Sequence, residues 1–131
     1  MKYRQLGHSG LKVSTLCLGT MTFGESDEHS MMHKIGCDEA TAHQIMDASL
    51  HAGINFFDTA DVYGNDGLTE KVIGRWFTAH KKRDDVVLAT KAVSVPGPER
   101  RFNASRVHLL RSLETSLRRL RTDTIDLWQL H

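Results

Sequence analysis

The chain has 131 residues, with 17 Lys and Arg against 16 Asp and Glu, a formal net charge of +1 and a hydrophobic fraction of 40%. So even a balance supplies no field for nucleic acid or an acidic membrane surface, and no apolar run approaches the roughly 18 residues that a membrane span needs. One soluble domain over residues 1–131 is expected, and the opening MKYRQLGHSG, with no apolar stretch behind it, argues for the cytoplasm rather than a secretory route.

The first element is a hairpin, YRQL at 3–6 and LKVS at 11–14 around the turn GHSG. LCLGT at 16–20 reads as a short strand. DEATAHQIMDASLHAG at 38–53 then places Ala42, Ile45, Met46, Ser49 and Leu50 on one helical face, with Asp38 able to cap its start and Gly53 its end. INFFDTA at 54–60 is a second strand, followed by a helix that Thr69 can cap and whose inner face holds Val72, Ile73, Trp76 and Phe77. VVLATK at 86–91 is the third strand. Asn103 or Ser105 opens a helix with Leu110, Leu113, Leu117 and Leu120 on its apolar stripe, and IDLWQLH at 125–131 is the fourth strand.

Apolar strands alternating with amphipathic helices call for a parallel sheet with right-handed crossovers. A doubly wound dinucleotide-binding sheet would carry GxGxxG after its first strand, and neither that motif nor GxxxxGK[ST] occurs. The absence of GxSxG and HExxH argues against a serine hydrolase or a zinc protease. Cys17 and Cys37 read as free thiols. His29, His33 and Cys37 would share a helical face suited to a metal, but the Gly and Ser residues around them favour an irregular loop, and no metal site is assigned. Arg106, Arg111, Arg118, Arg119 and Arg121 read as a solvated helix face, and Trp128 as packing.

In a (β/α)8 barrel the chemistry sits at the carboxyl ends of several strands. Three strands here end in an ionisable group: Asp58 after INFF, Lys91 after VVLAT and His131 after IDLWQL. Parallel neighbours bring those ends together, and Tyr63, five residues past Asp58, reaches the same rim. Tyr63 then holds a donatable proton, Lys91 stabilises the tyrosinate, Asp58 keeps Lys91 charged, and His131 offers an N–H to a carbonyl oxygen. That is the polar half of a carbonyl reduction, with the hydride coming from a cofactor.

KYRQLGHSGLKVS with LCLGTMTFG, AGINFFDTADVYGN, VVLATK and SLRRLRTDTIDLWQLH together resemble the N-terminal part of the aldo-keto reductase family. The resemblance implies an α/β fold, the N-terminal half of a (β/α)8 TIM barrel (strands 1–4, helices 1–3) preceded by a β-hairpin that closes its bottom. It implies reduction of a small aldehyde or ketone with NADPH, less often NADH. It also implies a tetrad of Asp58, Tyr63, Lys91 and His131 in which the Tyr is the proton donor and the Lys lowers its pKa. Gly19, Thr20 and Met21, with Asp58, would lie beside the nicotinamide.

Two features depart from the family pattern. Arg121 stands where the family usually has Gly. A full barrel takes about 250 residues, so strands and loops that hold much of the cofactor are not among these 131, and the outer strands are expected to be open edges. A second copy pairing as a homodimer would close a ring of eight strands. The alternative from another class is a non-catalytic half-barrel acting as a binding or regulatory module.

Overall fold

The computed structural model describes residues 1–25, 28, 33–95 and 101–131, apart from the side chains of residues 94, 95 and 101. In chain order the elements are β1 (Tyr3–Gln5), β2 (Lys12–Ser14), β3 (Leu18–Gly19), α1 (Glu39–His51), β4 (Phe56–Asp58), α2 (Leu68–His80), a 3-10 turn at Arg83–Asp85, β5 (Val87–Ala92), β6 (Ser94–Val95), β7 (Arg101–Phe102), α3 (Arg106–Leu120) and β8 (Leu127–Leu130). Strands β3, β4, β5 and β8 form a parallel sheet in that order. Each strand leads through a helix to its parallel neighbour, which is the repeating unit expected from the sequence. The short hairpin β6–β7 was not expected, because its two-residue strands carry no alternation long enough to register.

The hairpin β1–β2 is tied to the amino-terminal end of β4. Asn55 accepts from the Ser14 amide through Oδ1 at 2.8 Å, donates its own amide to Ser14 Oγ at 3.2 Å and donates Nδ2 to the Lys12 carbonyl at 3.1 Å. Tyr3 adds a bond from its hydroxyl to the Gly53 carbonyl at 2.8 Å. The hairpin therefore lies at the end of the sheet opposite the carboxyl ends of the strands.

Alternation along the strands divides the sheet into two faces. Phe57, Leu88 and Thr90 point to the helices and are fully buried, and Trp128 pairs with Thr90 on that face, half-buried, in keeping with a packing role. Ala42, Met46, Val72, Ile73, Trp76, Phe77 and Leu120 fill the space between the sheet and the helices. Arg83 supports the lower end of β8 by pairing with Asp126 at 2.7 Å and donating to the Thr124 and Val86 carbonyls.

The expected caps and faces hold with exceptions. Asp38 accepts from the Thr41 amide at 2.7 Å, and Ser105 rather than Asn103 caps α3. Thr69 does not cap α2: the cap is Gly67, and Thr69 lies inside the helix with its hydroxyl donating to the Phe23 carbonyl at 3.0 Å. Ile45 is exposed because Glu39, His43 and Asp47 turn toward α2, which leaves Ile45 on the opposite flank of α1. Leu110 is exposed because α3 buries its carboxyl-terminal half, at Ser116 and Leu120.

Helices α2 and α3 meet at Gly74, where a Cβ would press on the Arg119 carbonyl and the Leu120 backbone. Alanine normally gains about 1 kcal/mol over glycine inside a helix, but here Gly74→Ala is expected to lower stability by about 1–3 kcal/mol through overpacking. At the end of α3, Arg121 takes the left-handed conformation (φ 52°) that favours glycine. Arg121→Gly is expected to raise stability by about 1 kcal/mol. Urea unfolding of both variants checks the pair, which should move in opposite directions.

Candidate active site

The register of the sheet brings three of the four sequence-predicted residues to one rim. Asp58 lies opposite Gly19 on one side and Ala89 on the other, Lys91 lies opposite Gln129, and His131 follows Leu130, the partner of Ala92. Asp58, Lys91, Gln129 and His131 thus share the sheet face that does not meet the helices. The His131 amide continues the ladder by donating to the Ala92 carbonyl at 2.9 Å. Tyr63 arrives from the loop between β4 and α2, whose Asp61 amide donates to the Lys91 carbonyl at 3.1 Å.

Lys91 is the centre of the group. Its Nζ donates to Asp58 Oδ2 at 2.7 Å and to the Thr59 carbonyl at 2.8 Å, and it lies 5.2 Å from the centroid of the Tyr63 ring. The side chain of Lys91 is only 16% exposed, so its charge is poorly screened by water. The Tyr63 and His131 rings meet edge to face with centroids 5.8 Å apart. All four predicted residues are therefore assembled. Gln129, which the sequence pattern did not single out, joins them by donating Nε2 to Asp58 Oδ1 at 3.5 Å. Its place two residues before His131 on the same strand face was the available signal.

The segment Gly19–Met21 lies beside Asp58. Thr20 is fully buried, and its amide and hydroxyl both donate to the Asp58 carbonyl, at 3.0 and 2.9 Å. A Cβ placed on Gly19 would meet no heavy atom within 4 Å, and Met21 is exposed. The segment is thus fixed to the strand end while its rim stays open, which suits a flat ring lying across it. Cys17, on the same sheet face as Gly19 and exposed, has its thiol pushed up to about 11, by partial burial first and then by the Asp58 carboxylate, with Lys91 opposing.

On the helix side of the rim lies a charged group that differs from the sequence expectation. Arg119 is not on a solvated face: its side chain is 16% exposed, and it pairs with Asp66 at 2.6 Å and with Glu70 at 3.4 Å. Its position directly before Leu120 and three residues after the buried Ser116 puts it on the inner flank of α3. Glu70 is fully buried and accepts from the Thr90 hydroxyl at 2.8 Å, and burial raises its carboxyl above the usual range. Asp61 is raised from its ordinary 3.8 to about 6, by burial first and then by Glu70, with Arg119 opposing. The Oδ1 atom of Asp61 has no hydrogen-bond partner among the described residues.

Of the possible metal spacing, His29 lies outside the described residues, and Cys37 exchanges main-chain bonds with Thr22 and Gly24 ahead of α1 rather than sitting in a helix. No described helix is long and apolar enough to cross a membrane.

Residues 15–131 match the Aldo/keto reductase family. The chain is 48% identical over 140 residues to an uncharacterised oxidoreductase, YrpG, of Bacillus subtilis (strain 168), covering all of this chain and 40% of that protein. It is 37% identical over 145 residues to the protein tas of Escherichia coli (strain K12), covering all of this chain and 38% of the other. Among solved structures it is similar to the holo form of aldo-keto reductase AKR11C1 from Bacillus halodurans, with a TM-score of 0.83 and 40% identity over all of this chain and 40% of that one. The chain therefore spans about two fifths of the length of these relatives, and its four parallel strands and three helices are an α/β portion of a (β/α)8 barrel, as expected.

The elevated carboxyl of Asp61 has a consequence for stability. A carboxyl whose folded pKa is raised contributes stability that is whole below its ordinary 3.8 and is lost as pH rises through about 6. Asp61→Asn is expected to remove that loss, so the melting temperature of the variant should gain on the wild type between about pH 4 and pH 7. Thermal melts across that range check it, and a constant difference would contradict the assignment.

Proposed function

The chain belongs to the aldo/keto reductase family, an oxidoreductase family, and on that premise we propose that its rim is the polar half of a carbonyl-reducing site acting on a small aldehyde or ketone with NADPH, NADH being the less favoured donor. The observation that supports this best is the position of the Lys91 ammonium, held by Asp58 at 2.7 Å and lying 5.2 Å from the Tyr63 ring. The open rim at Gly19 and Met21 fits the nicotinamide end of such a cofactor, with Thr20 and Asp58 holding that rim in place. When bound, the reduced nicotinamide supplies the hydride that reaches the carbonyl carbon.

Tyr63 donates its phenolic proton to the carbonyl oxygen as the carbon is reduced, and the product is an alcohol. The charge left on the phenol oxygen is stabilised by Lys91, whose largely buried ammonium is less screened than a surface charge. Asp58 and the Thr59 carbonyl accept from the Lys91 ammonium and aim it. His131, against the edge of Tyr63, presents a ring N–H that orients the carbonyl oxygen toward the phenol. Gln129 fixes the second oxygen of Asp58. A cytoplasmic place of action accords with this chemistry.

The test is steady-state NADPH oxidation by the chain with a panel of aldehydes, beside Tyr63→Phe and Lys91→Met. Loss of a general acid costs roughly 10²–10⁴-fold in rate, and both variants are expected to fall by at least about 10²-fold while remaining folded. Equal turnover in Tyr63→Phe would overturn the assignment of the proton donor. A folded wild-type chain that binds small carbonyls without turning them over would favour a binding module.

A further inference from the structure

The loop between β4 and α2 that carries Tyr63 is conformationally expensive. Gly64, Asn65, Asp66 and Gly67 all have positive φ, at 70°, 53°, 43° and 66°. Two of the four carry a Cβ, and although Asn and Asp tolerate the left-handed region better than most residues, such a run persists only where its surroundings over-determine it. Arg119 supplies that determination. Its Nη1 donates to the Asp61 carbonyl at 3.1 Å and to Glu70 at 3.4 Å, and its Nη2 donates to Asp66 at 2.6 Å. The guanidinium also lies against Gly67, where a Cβ would stand 2.6 Å from Cζ.

One guanidinium thus holds both ends of the 61–67 loop and the first turn of α2. Asp61 is clamped on two sides, by its amide to the Lys91 carbonyl and by its carbonyl to Arg119. Tyr63 follows two residues later, with its amide donating to Ala60 and its carbonyl accepting from Thr69. The planar fork of arginine suits this task, because its two terminal nitrogens stand apart and reach acceptors on separate sides of the loop, whereas the three donors of a lysine share one nitrogen. The partial burial of Arg119 and the full burial of Glu70 make the bond between those two less screened than a surface pair.

We propose that Arg119 is the positioning residue for Tyr63: by fastening the 61–67 loop to α3 it keeps the phenol beside Lys91 and against His131. The catalytic meaning of this rests on the reading of Tyr63 as proton donor, but the positioning itself can be measured without turnover.

The chain has only two tyrosines, Tyr3 and Tyr63, so Tyr3→Phe leaves Tyr63 as the single tyrosine signal. In that background, ring-labelled tyrosine reports Tyr63 through its nuclear Overhauser effect with the His131 ring, and amide exchange reports the loop. Arg119→Met keeps the aliphatic stem and removes the fork. It is expected to abolish the Tyr63–His131 Overhauser effect and to speed exchange at the Asp61 and Thr69 amides by about tenfold or more, with the Leu88 and Thr90 amides of β5 unchanged. Arg119→Lys should restore only part of this. Asp66→Asn, at a side chain 77% exposed, removes the carboxylate charge that Arg119 and Lys71 share while leaving one acceptor oxygen, and should move the same signals less.

Retention of the Overhauser effect with unchanged loop exchange in Arg119→Met would overturn the proposal, as would an equal rise in exchange across β5, which reports general loosening. Where the wild type turns over, Arg119→Met should lower kcat with KM within about twofold. A wild type without turnover, whose Arg119→Met variant no longer holds the two rings together, would refute the proposed reaction and leave the positioning standing.

Discussion

The hydrogen-bond register of the four-stranded parallel sheet decides which side chains meet. Asp58 pairs with Ala89, and Lys91 stands two residues further along β5; Lys91 pairs with Gln129, and His131 stands two residues further again. Side chains alternate with a period of two, so these steps keep Asp58, Lys91, Gln129 and His131 on one face, with Lys91 and Gln129 level with each other one pleat above Asp58 and His131 one pleat above them. A slip of one residue in either pairing would turn Lys91 or His131 toward the helices and dismantle the group. The stagger is that of a tilted barrel strand, and it lets the Lys91 ammonium reach down to Asp58 and across to the Tyr63 ring.

The two faces of β5 carry different charge problems with one architectural solution. On the inner face Lys91 is held by Asp58 and the Thr59 carbonyl. On the helix face its neighbour Thr90 donates to Glu70, which Arg119 also approaches. Asp61 joins the two sides, since its amide binds the Lys91 carbonyl and its carbonyl binds Arg119. Buried ionic groups seldom add much stability, and removing one partner from such a group is costly. Their value here lies in fixing a loop whose own backbone preferences oppose the shape it takes.

Much of this was legible in the sequence. Asp58, Lys91 and His131 each close a largely apolar predicted strand, and strand ends in a parallel sheet lie together, so their convergence followed from chain order alone. The inner face of α2 was equally clear, because Val72, Ile73, Trp76 and Phe77 repeat with helical spacing. Arg119 was not legible, because a run of basic residues around a leucine stripe has the same pattern whether a given member is solvated or folded inward. Thr69 misled for a related reason: a hydroxyl near a helix start is a cap by local rules, and its long-range bond to Phe23 has no local signature.

The sequence by itself determined the alternating strands and helices, the strand-end placement of Asp58, Lys91 and His131, and the arrival of Tyr63 at the same rim. These depend on periodicity and chain order, which are properties of neighbouring residues. Only the tertiary structure decided the register that joins Lys91 to Asp58, the left-handed path of the loop from Gly64 to Gly67, and the inward turn of Arg119. Those depend on distances between residues 33 to 58 positions apart, and such distances are set by burial and close approach between elements rather than by any preference of the local chain.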